Sequence, residues 1–167
     1  MPKYSRKGEQ RTWQNVRNIM VYVETAEGNP VKVGLEMLSP AKKLADKVTA
    51  VVIGGGVADA AKEVAKAGAD QVICVDSEDY KEFNLDAYAQ VLVELVKEEN
   101  PEAVFVGGTQ DGKDIAPVVA AKCNTGCASD VLDIKAEDGE VIYTCPLYGG
   151  TVLEDVKIKT TPQIATL

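Results

Sequence analysis

The chain has 167 residues, of which 46% are hydrophobic, and its 18 Lys or Arg and 26 Asp or Glu give a net charge of −8. This size predicts one globular domain, and this charge disfavours binding to nucleic acid or to an anionic membrane surface. The sequence contains no histidine, which excludes Ser-His-Asp and Cys-His catalysis and zinc sites that need imidazole, so we expect no catalytic residue and no metal site.

The amino-terminal segment has the opposite charge to the rest of the chain. Met1 to Arg17 contains five Lys or Arg and a single acidic residue, Glu9. The segment lacks the apolar core of a secretion signal, and no run in the chain approaches the roughly 20 apolar residues of a membrane-spanning helix. We therefore expect residues 1–18 to form a flexible or partner-docked arm, and we expect a cytoplasmic protein without membrane insertion.

Strand-like and helix-like segments alternate after this arm. Continuous apolar runs predict buried strands at 19–23, 48–53, 71–75 and 103–106. Helical spacing of apolar residues predicts helices that begin at Leu35, cover 57–67 and 86–99, and run from Lys113 or Asp114 to Lys122. Strands that are apolar throughout are typical of a parallel sheet covered on both faces. We therefore predict an α/β fold with a three-layer, doubly wound, mostly parallel sheet.

The pattern changes after Gly126. Residues 131–134, 141–144 and 152–158 alternate apolar and polar side chains, as strands with one buried face do. The segment Glu137-Asp138-Gly139-Glu140 is typical of a hairpin turn. These features predict a carboxyl-terminal antiparallel extension of the parallel core.

Ligands of doubly wound sheets bind at the carboxyl ends of the strands, where two loops of this chain are rich in glycine. The first loop, Gly54-Gly55-Gly56, joins a strand to a helix, and Asp76 ends the next strand at the distance expected for a ribose contact. Asp59 stands where the third glycine of a dinucleotide fingerprint belongs, and its charge opposes a pyrophosphate. The loop is either a structural turn or the NAD loop of a small NAD-dependent enzyme.

The second loop follows the strand at 103–106 and offers groups for a nucleotide-type ligand. Two glycines allow a sharp turn, the next helix begins with free N–H groups that favour an anion, and a lysine supplies a cation. The candidate binding residues are Gly107, Gly108, Thr109, Gly112, Lys113 and Asp114. The alternative is that Asp111 or Asp114 caps the helix while Lys113 is solvated, which leaves no ligand.

The four cysteines contain no C-x-x-C pair and are expected to be reduced. Cys123 and Cys127 lie four residues apart, a spacing compatible with a redox pair as well as with simple packing. Cys74 lies within an apolar run, so we expect it to be buried as a small hydrophobic residue.

Ordered blocks of the sequence resemble the alpha subunit of electron transfer flavoproteins. Residues 107–117, continued to Ser129-Asp130, resemble the family segment G-A-T-x-x-G-R-D-x-A-P with its following A-A-R-L-x-T-G and Asp. Further blocks resemble the family's opening strand and turn, its first helix, and its P-x-x-G-G and P-Q-x-A-T segments; they lie at 21–31, 35–45, 146–150 and 162–166. On these blocks, residues 19–167 are identified as an electron transfer flavoprotein alpha-subunit amino-terminal domain.

The resemblance implies a fold like that of the adenine nucleotide alpha hydrolases and a place in electron transport. It implies a heterodimer with the beta subunit, in which electrons pass from flavin dehydrogenases to FAD. In the family, FAD lies on a second domain whose segments are missing from this chain, and AMP or a second FAD lies in the beta subunit. We expect Tyr148, Gly149 and Gly150, together with the basic arm, to contact the beta subunit.

Three hypotheses follow from the sequence. The first is a scaffold and interface domain of an electron transfer complex, which is not an enzyme by itself. The second is a stand-alone adenine-nucleotide-binding module that uses the loop 107–113, although Lys113 replaces the family's usual Arg and loses its bidentate geometry. The third is an NAD-dependent enzyme built on the loop 54–56 and Asp76, for which the sequence offers no convincing catalytic acid or base.

Overall fold

Three β-sheets and four α-helices make up residues 16–137 and 140–167, which the computed structural model describes. In chain order the strands are β1 (Asn18–Tyr22), β2 (Thr25–Ala26), β3 (Asn29–Pro30), β4 (Lys47–Gly54), β5 (Gln71–Asp76), β6 (Ala103–Val106), β7 (Cys127–Ala128), β8 (Asp133–Glu137), β9 (Glu140–Leu147), β10 (Val152–Val156) and β11 (Gln163–Thr166). The helices are α1 (Lys32–Leu44), α2 (Ala58–Lys66), α3 (Leu85–Glu99) and α4 (Gln110–Lys122), and short 3-10 turns occur at Glu78–Tyr80 and Tyr148–Gly150. Most of the predicted basic arm, and Asp138 and Gly139 of the predicted hairpin turn, lie outside the described residues.

Six parallel strands form the main sheet in the order β5-β4-β1-β6-β11-β7. In the register, Ile19 of β1 pairs with Val48 of β4 on one side and with Ala103 of β6 on the other. The chain moves outward from β1 through β4 and β5 and then returns to the other side of β1 as β6. The strand order therefore reverses between β1 and β6, and the loops after these two strands diverge to leave a crevice.

Different helices cover the two faces of the main sheet. Helices α1 and α2 cover one face, where Leu38 and Val64 are buried in the same core as Val21 of β1. Helices α3 and α4 cover the other face, where Leu92 packs in a second core with Val104 of β6. Each such buried side chain contributes roughly 1.5–3 kcal/mol. This arrangement confirms the predicted three-layer α/β fold.

The predicted antiparallel extension is confirmed as a three-stranded sheet in the order β10-β9-β8. Tyr143 and Cys145 of β9 are buried in the core on the α1 side of the main sheet. Strand β10 ends at Val156 rather than at residue 158. The chain then returns to the main sheet as β11, which pairs in parallel with β6 and β7.

Two helices begin about one turn earlier than the sequence predicted. Helix α1 begins at Lys32 rather than Leu35, and α4 begins at Gln110 rather than at Lys113 or Asp114. The predicted starts were wrong because the first turn of each helix contains glycine and polar residues, so the apolar periodicity starts about one turn late. Within the described ranges, no helix is both long enough and apolar enough to cross a membrane.

The prediction that Cys74 is buried was wrong. This residue is exposed on β5, whose side chains are mostly half-buried or exposed. Strand β5 is the edge of the main sheet and has a neighbour on one side only, so it receives less cover than β1, β4 and β6. Of the remaining cysteines, Cys145 is buried and Cys123 and Cys127 are half-buried, and all four are free thiols.

The end of the predicted arm packs against the domain. Val16 is buried, and Asn18 is the first residue of β1. The Asn18 side-chain amide lies 3.4 Å from the Glu99 carbonyl oxygen, and Arg17 Nε lies 3.1 Å from Glu102 Oε1. Residues 16–18 therefore belong structurally with the segment that follows them.

Candidate functional site

The side chains of Glu24 and Thr109 meet at the crevice where the strand order reverses. Glu24 follows β1 and Thr109 follows β6, so each lies at the carboxyl end of a strand beside the reversal. The Thr109 hydroxyl donates to the Glu24 carboxylate, and its Oγ1 lies 2.6 Å and 2.8 Å from the two carboxylate oxygens. This hydrogen bond ties together two loops that are 85 residues apart in the chain.

Thr109 is also the N-cap of helix α4. Its Oγ1 accepts a hydrogen bond from the Gly112 N–H at 2.9 Å, and its carbonyl oxygen accepts one from the Lys113 N–H at 3.0 Å. One hydroxyl thus satisfies a free helical N–H and a half-buried carboxylate at the same time. The alternative in which Asp111 or Asp114 caps the helix was wrong, because the helix begins before both residues.

Glu24 places negative charge beside the amino-terminal end of α4. Burial raises the pKa of Glu24, the hydrogen bond from Thr109 opposes that effect, and the nearby Asp111 carboxylate raises the pKa further. Helical N–H groups at this end favour an anion, and the chain itself supplies one in Glu24. A phosphate at the same place would be repelled by the Glu24 and Asp111 carboxylates.

A crevice of about 440 Å³ opens beside Glu24 at the carboxyl ends of β1 and β4. Its charged lining residues are Glu24, Glu27, Glu82, Asp111 and Lys81, which is four carboxylates against one ammonium group. The Lys81 ammonium also lies 3.9 Å from a carboxylate oxygen of Glu78. This lining does not fit a phosphate-bearing cofactor such as FAD or AMP. In the described part of the chain, no group of three or more Cys, Asp or Glu side chains is arranged to hold a metal ion.

The structure separates the residues of the predicted nucleotide-type loop. Of residues 107–114, all of which are described, Asp111 alone lines the crevice. Lys113 Nζ lies 2.6 Å from Asp130 Oδ1, and the Asp114 carboxylate oxygens lie 3.4 Å from Gln110 Nε2. The Gly108 N–H donates to the Leu167 carbonyl oxygen at 2.6 Å, and Gly107 is buried. The lysine that was expected to neutralise a phosphate is therefore paired with a carboxylate.

The loop 54–56 is closed by its own hydrogen bonds. The Gly56 N–H donates to Asp76 Oδ1 at 2.7 Å, and the Ser77 N–H donates to the Gly54 carbonyl oxygen at 3.0 Å. Asp59 is paired with Lys62 at 2.7 Å. Asp76 therefore binds the loop itself, and the geometry favours the structural turn over the NAD loop.

The predicted interface residues Tyr148, Gly149 and Gly150 form the turn between β9 and β10. All three have positive φ angles, of 51°, 66° and 88°. Such angles are costly for tyrosine and natural for glycine. The turn holds the Tyr148 side chain in solvent, where it is 84% exposed.

Hydrogen bonds and an ion pair join the sequence blocks to one another and to other distant parts of the chain. Thr125 donates to the Pro162 carbonyl oxygen at 2.8 Å, and the Tyr143 hydroxyl donates to Gln163 Oε1 at 2.9 Å. The Glu24–Thr109 bond joins two blocks, and the Lys113–Asp130 pair joins the two ends of one block. These contacts fix the return of β11 and the loops around β1 and β6, so the blocks have a structural role.

The comparison with known proteins agrees with this arrangement of blocks. The family model described as the electron transfer flavoprotein domain matches residues 19–167. The chain belongs to the electron transfer flavoprotein family.

Individual relatives show the same similarity. The electron transfer flavoprotein subunit alpha of Syntrophomonas wolfei has 37% identity over 88% of this chain and 46% of the relative. The protein FixB of Clostridium saccharobutylicum has 35% identity over 90% of this chain and 47% of the relative. The acryloyl-CoA reductase electron transfer subunit beta of Anaerotignum propionicum is 39% identical over 84% of this chain and 46% of the relative.

These matches confirm the resemblance that the sequence blocks indicated. The chain spans about half the length of the curated relatives that it matches. Tyr22 and Glu24 line the crevice, but the sequence did not predict them as site residues. Glu24 lies in a block that was recognised, and its position at the end of β1, next to the strand reversal, was the available signal.

We expect Thr109→Val to destabilise this electron transfer flavoprotein domain. The substitution keeps the branched shape of the side chain but removes the cap of α4 and the donor to Glu24. Loss of such a cap lowers the free energy of unfolding by about 1–2 kcal/mol. Urea unfolding measures the loss, and Thr109→Ser, which keeps the hydroxyl, is the matched control. Equal stability of the two variants would contradict the role assigned to the hydroxyl.

We expect the stability contributed by Glu24 to depend on pH. Because the pKa of Glu24 is raised on folding from its ordinary value of 4.5, the folded state binds its proton more tightly than the unfolded state does. Wild-type stability should therefore fall relative to Glu24→Gln as the pH rises from 4.5 through the raised pKa of the folded state. Urea unfolding of both proteins across this range measures the difference. A difference that is constant, or that changes in the wild type's favour, would show that Glu24 is not held in a site that disfavours its charge.

Proposed function

We propose that this chain is a scaffold and interface domain of an electron transfer flavoprotein complex and that it binds a beta-type subunit through its antiparallel sheet. The observation that carries the proposal is a cluster of exposed apolar side chains on this sheet and its flanks. It consists of Leu132, Leu147, Tyr148, Val152 and Leu153, here called the apolar surface. Apolar patches of this kind mark protein interfaces when they are contiguous.

The register of the antiparallel sheet brings the members of the apolar surface together. Val152 of β10 pairs with Leu147 of β9, and Leu153 pairs with Pro146. The Leu132 N–H donates to the carbonyl oxygen of Thr144, which places Leu132 beside β9 as well. The side chains therefore lie around the turn at one end of the sheet, with Leu147 and Val152 on one face and Leu153 on the other.

Tyr148 has the properties of an interface anchor. Its side chain is almost fully exposed, although tyrosine is large and partly apolar, and its backbone has a φ of 51°. A non-glycine residue in this region costs on the order of 1–2 kcal/mol. Strained residues are concentrated at sites that serve a function, and tyrosine is enriched among the residues that dominate binding energy.

The proposal assigns the redox chemistry to other parts of the complex. FAD would be bound by a further flavoprotein domain rather than by residues 19–167, AMP or a second FAD by the beta-type partner, and electrons would come from flavin dehydrogenases in the cytoplasm. The acidic crevice supports this division, because its lining would repel the phosphates of either cofactor. This chain would then be a component of an electron carrier rather than an enzyme. The basic arm 1–18 remains a proposed second contact.

Mixing experiments test the proposed function. The chain and a beta-type electron transfer flavoprotein subunit from the same organism are combined, and the mass of the product is measured by light scattering at several salt concentrations. We expect a heterodimer that persists at high salt, because the contact is apolar and screening acts only on charges. Two separate monomers under all conditions would overturn the proposal.

The alternative function, an adenine-nucleotide site formed by the loop 107–113, has its own test. Calorimetric titration with AMP, ATP and FAD tests it. We expect no heat of binding, because Glu24 and Asp111 lie beside the end of α4 that a phosphate would need. Saturable binding of any of the three would restore the nucleotide-binding alternative.

A further inference from the structure

We propose that the crevice beside Glu24 binds a small organic cation that carries an alkyl-ammonium or guanidinium group. Glu24 and Asp111 would attract the charge, and the Tyr22 hydroxyl oxygen would accept a hydrogen bond from one N–H of the cation. This site is separate from the apolar surface, and it is proposed in addition to the scaffold function.

The Tyr22 hydroxyl is a buried polar group that has no hydrogen-bond partner in the part of the chain that the structure describes. The side chain is 2% exposed and lines the crevice. No residue in the ranges 16–137 and 140–167 forms a hydrogen bond with its hydroxyl, whereas the neighbouring Tyr88 hydroxyl donates to the Tyr80 carbonyl oxygen at 2.6 Å. Buried polar groups in folded proteins are nearly always hydrogen-bonded, so this hydroxyl is a candidate acceptor for a ligand in the crevice.

The negative charge of the crevice favours a positively charged ligand. Glu27, Glu82 and Asp111 form no ion pair with a cation of the described residues, and Glu24 is bound to the neutral Thr109. Lys81 is the one cationic residue of the described lining, and its ammonium group lies within ion-pair distance of the Glu78 carboxylate. An anion would be repelled, while a cation with N–H donors would find carboxylate and hydroxyl acceptors together.

Aromatic rings form the apolar part of the lining. Tyr80 and Phe83 each pack edge-on against Tyr88, with ring centroids 5.7 Å and 5.1 Å apart, respectively. All three line the crevice. Rings of this kind attract cations and cover the carbon chain of an alkyl amine. The volume of about 440 Å³ lies within the range of small-molecule sites, roughly 300–1,000 Å³.

The Tyr22 hydroxyl keeps its proton under ordinary conditions. Burial raises the pKa of Tyr22, and the charge of Glu24 raises it further. The group therefore remains a neutral hydroxyl, whose oxygen can accept a hydrogen bond from the ligand. The hydroxyl contributes to ligand binding but forms no hydrogen bond with the described residues. Its removal should therefore affect ligand binding without weakening the fold.

Calorimetric titration of the 167-residue chain with agmatine and with putrescine tests the proposal, and the uncharged 1,4-butanediol is the matched ligand control. We expect at least one amine to bind and the diol not to bind. Tyr22→Phe and Glu24→Gln should each weaken binding by about tenfold or more, as expected for a lost hydrogen bond to a charged group. Tyr143→Phe, which removes a buried hydroxyl outside the crevice, should leave the affinity unchanged.

Thermal unfolding of the same variants separates binding from folding. Tyr22→Phe should be as stable as the wild type or more stable, because it removes an unpaired buried hydroxyl and keeps the ring. The proposal is overturned if neither amine binds, if the diol binds equally well, or if both crevice variants bind the amine with wild-type affinity. A clear loss of stability in Tyr22→Phe would also overturn it, since the hydroxyl would then have a partner within the protein.

Discussion

Gly112→Ala is expected to be strongly destabilising, lowering the free energy of unfolding by roughly 2–4 kcal/mol. A Cβ atom at Gly112 would overlap the carbonyl oxygen of Gly107, and it would lie 2.9 Å from Glu24 Oε1 and 3.0 Å from Thr109 Oγ1. These atoms belong to the end of β6, the crevice carboxylate and the helix cap. None of these three atoms can move without disturbing the contact between the loop after β1 and the loop after β6.

Urea unfolding of Gly112→Ala and Gly126→Ala measures this effect. Gly126 is the matched control, because a Cβ atom there would meet Ile158 Cγ2 at an ordinary contact distance of 3.4 Å. We expect the control to change stability by about 0.5 kcal/mol or less. Equal stability of the two variants would mean that the turn after β6 is not the tightly packed junction described above.

Tyr148→Ala and Leu153→Ala are expected to weaken the complex with a beta-type subunit without unfolding the chain. Both side chains are largely exposed, at 84% and 59%, so their truncation removes little packing from the folded monomer. If Tyr148 is an anchor of the interface, its loss should raise Kd by about 10- to 100-fold, since anchor truncations cost roughly 2 kcal/mol or more.

The control for the interface variants is Val91→Ala. Val91 is a half-buried apolar residue of α3, which lies on the opposite side of the main sheet from the antiparallel sheet. Isothermal titration with the partner subunit should give the wild-type Kd for this variant. An equal loss of affinity in all three variants would point to a general effect on the fold, and no loss in Tyr148→Ala would remove that residue from the interface.

The parallel core was predictable because its strands are short and apolar throughout. The run 48–53 is continuous in the sequence and lies in β4, buried on both faces. By contrast, β11 has a buried apolar pair, Ile164 and Ala165, and β7 has two residues. These strands exist because residues far apart in the chain pair in parallel, and local periodicity carries no information about such pairing.

The candidate site was less predictable than the fold. Glycines and a lysine drew attention to the loop 107–113, but the position of Lys113 is decided by Asp130 and that of Thr109 by Glu24. Both partners are distant in the chain. The edge position of β5 likewise explains why Cys74 is exposed although its neighbours are apolar. Charge pairs and sheet edges are tertiary properties, so spacing alone did not reveal them.

Hydrogen–deuterium exchange on the complex with a beta-type subunit is the most direct test of the proposed function. We expect slower amide exchange in β9, the turn Tyr148–Gly150 and β10 when the partner is bound. The buried strand β4 should be unchanged and serves as the internal reference. Protection confined to the crevice loops, or no protection anywhere despite a bound partner, would contradict the assignment of the antiparallel sheet as the docking surface.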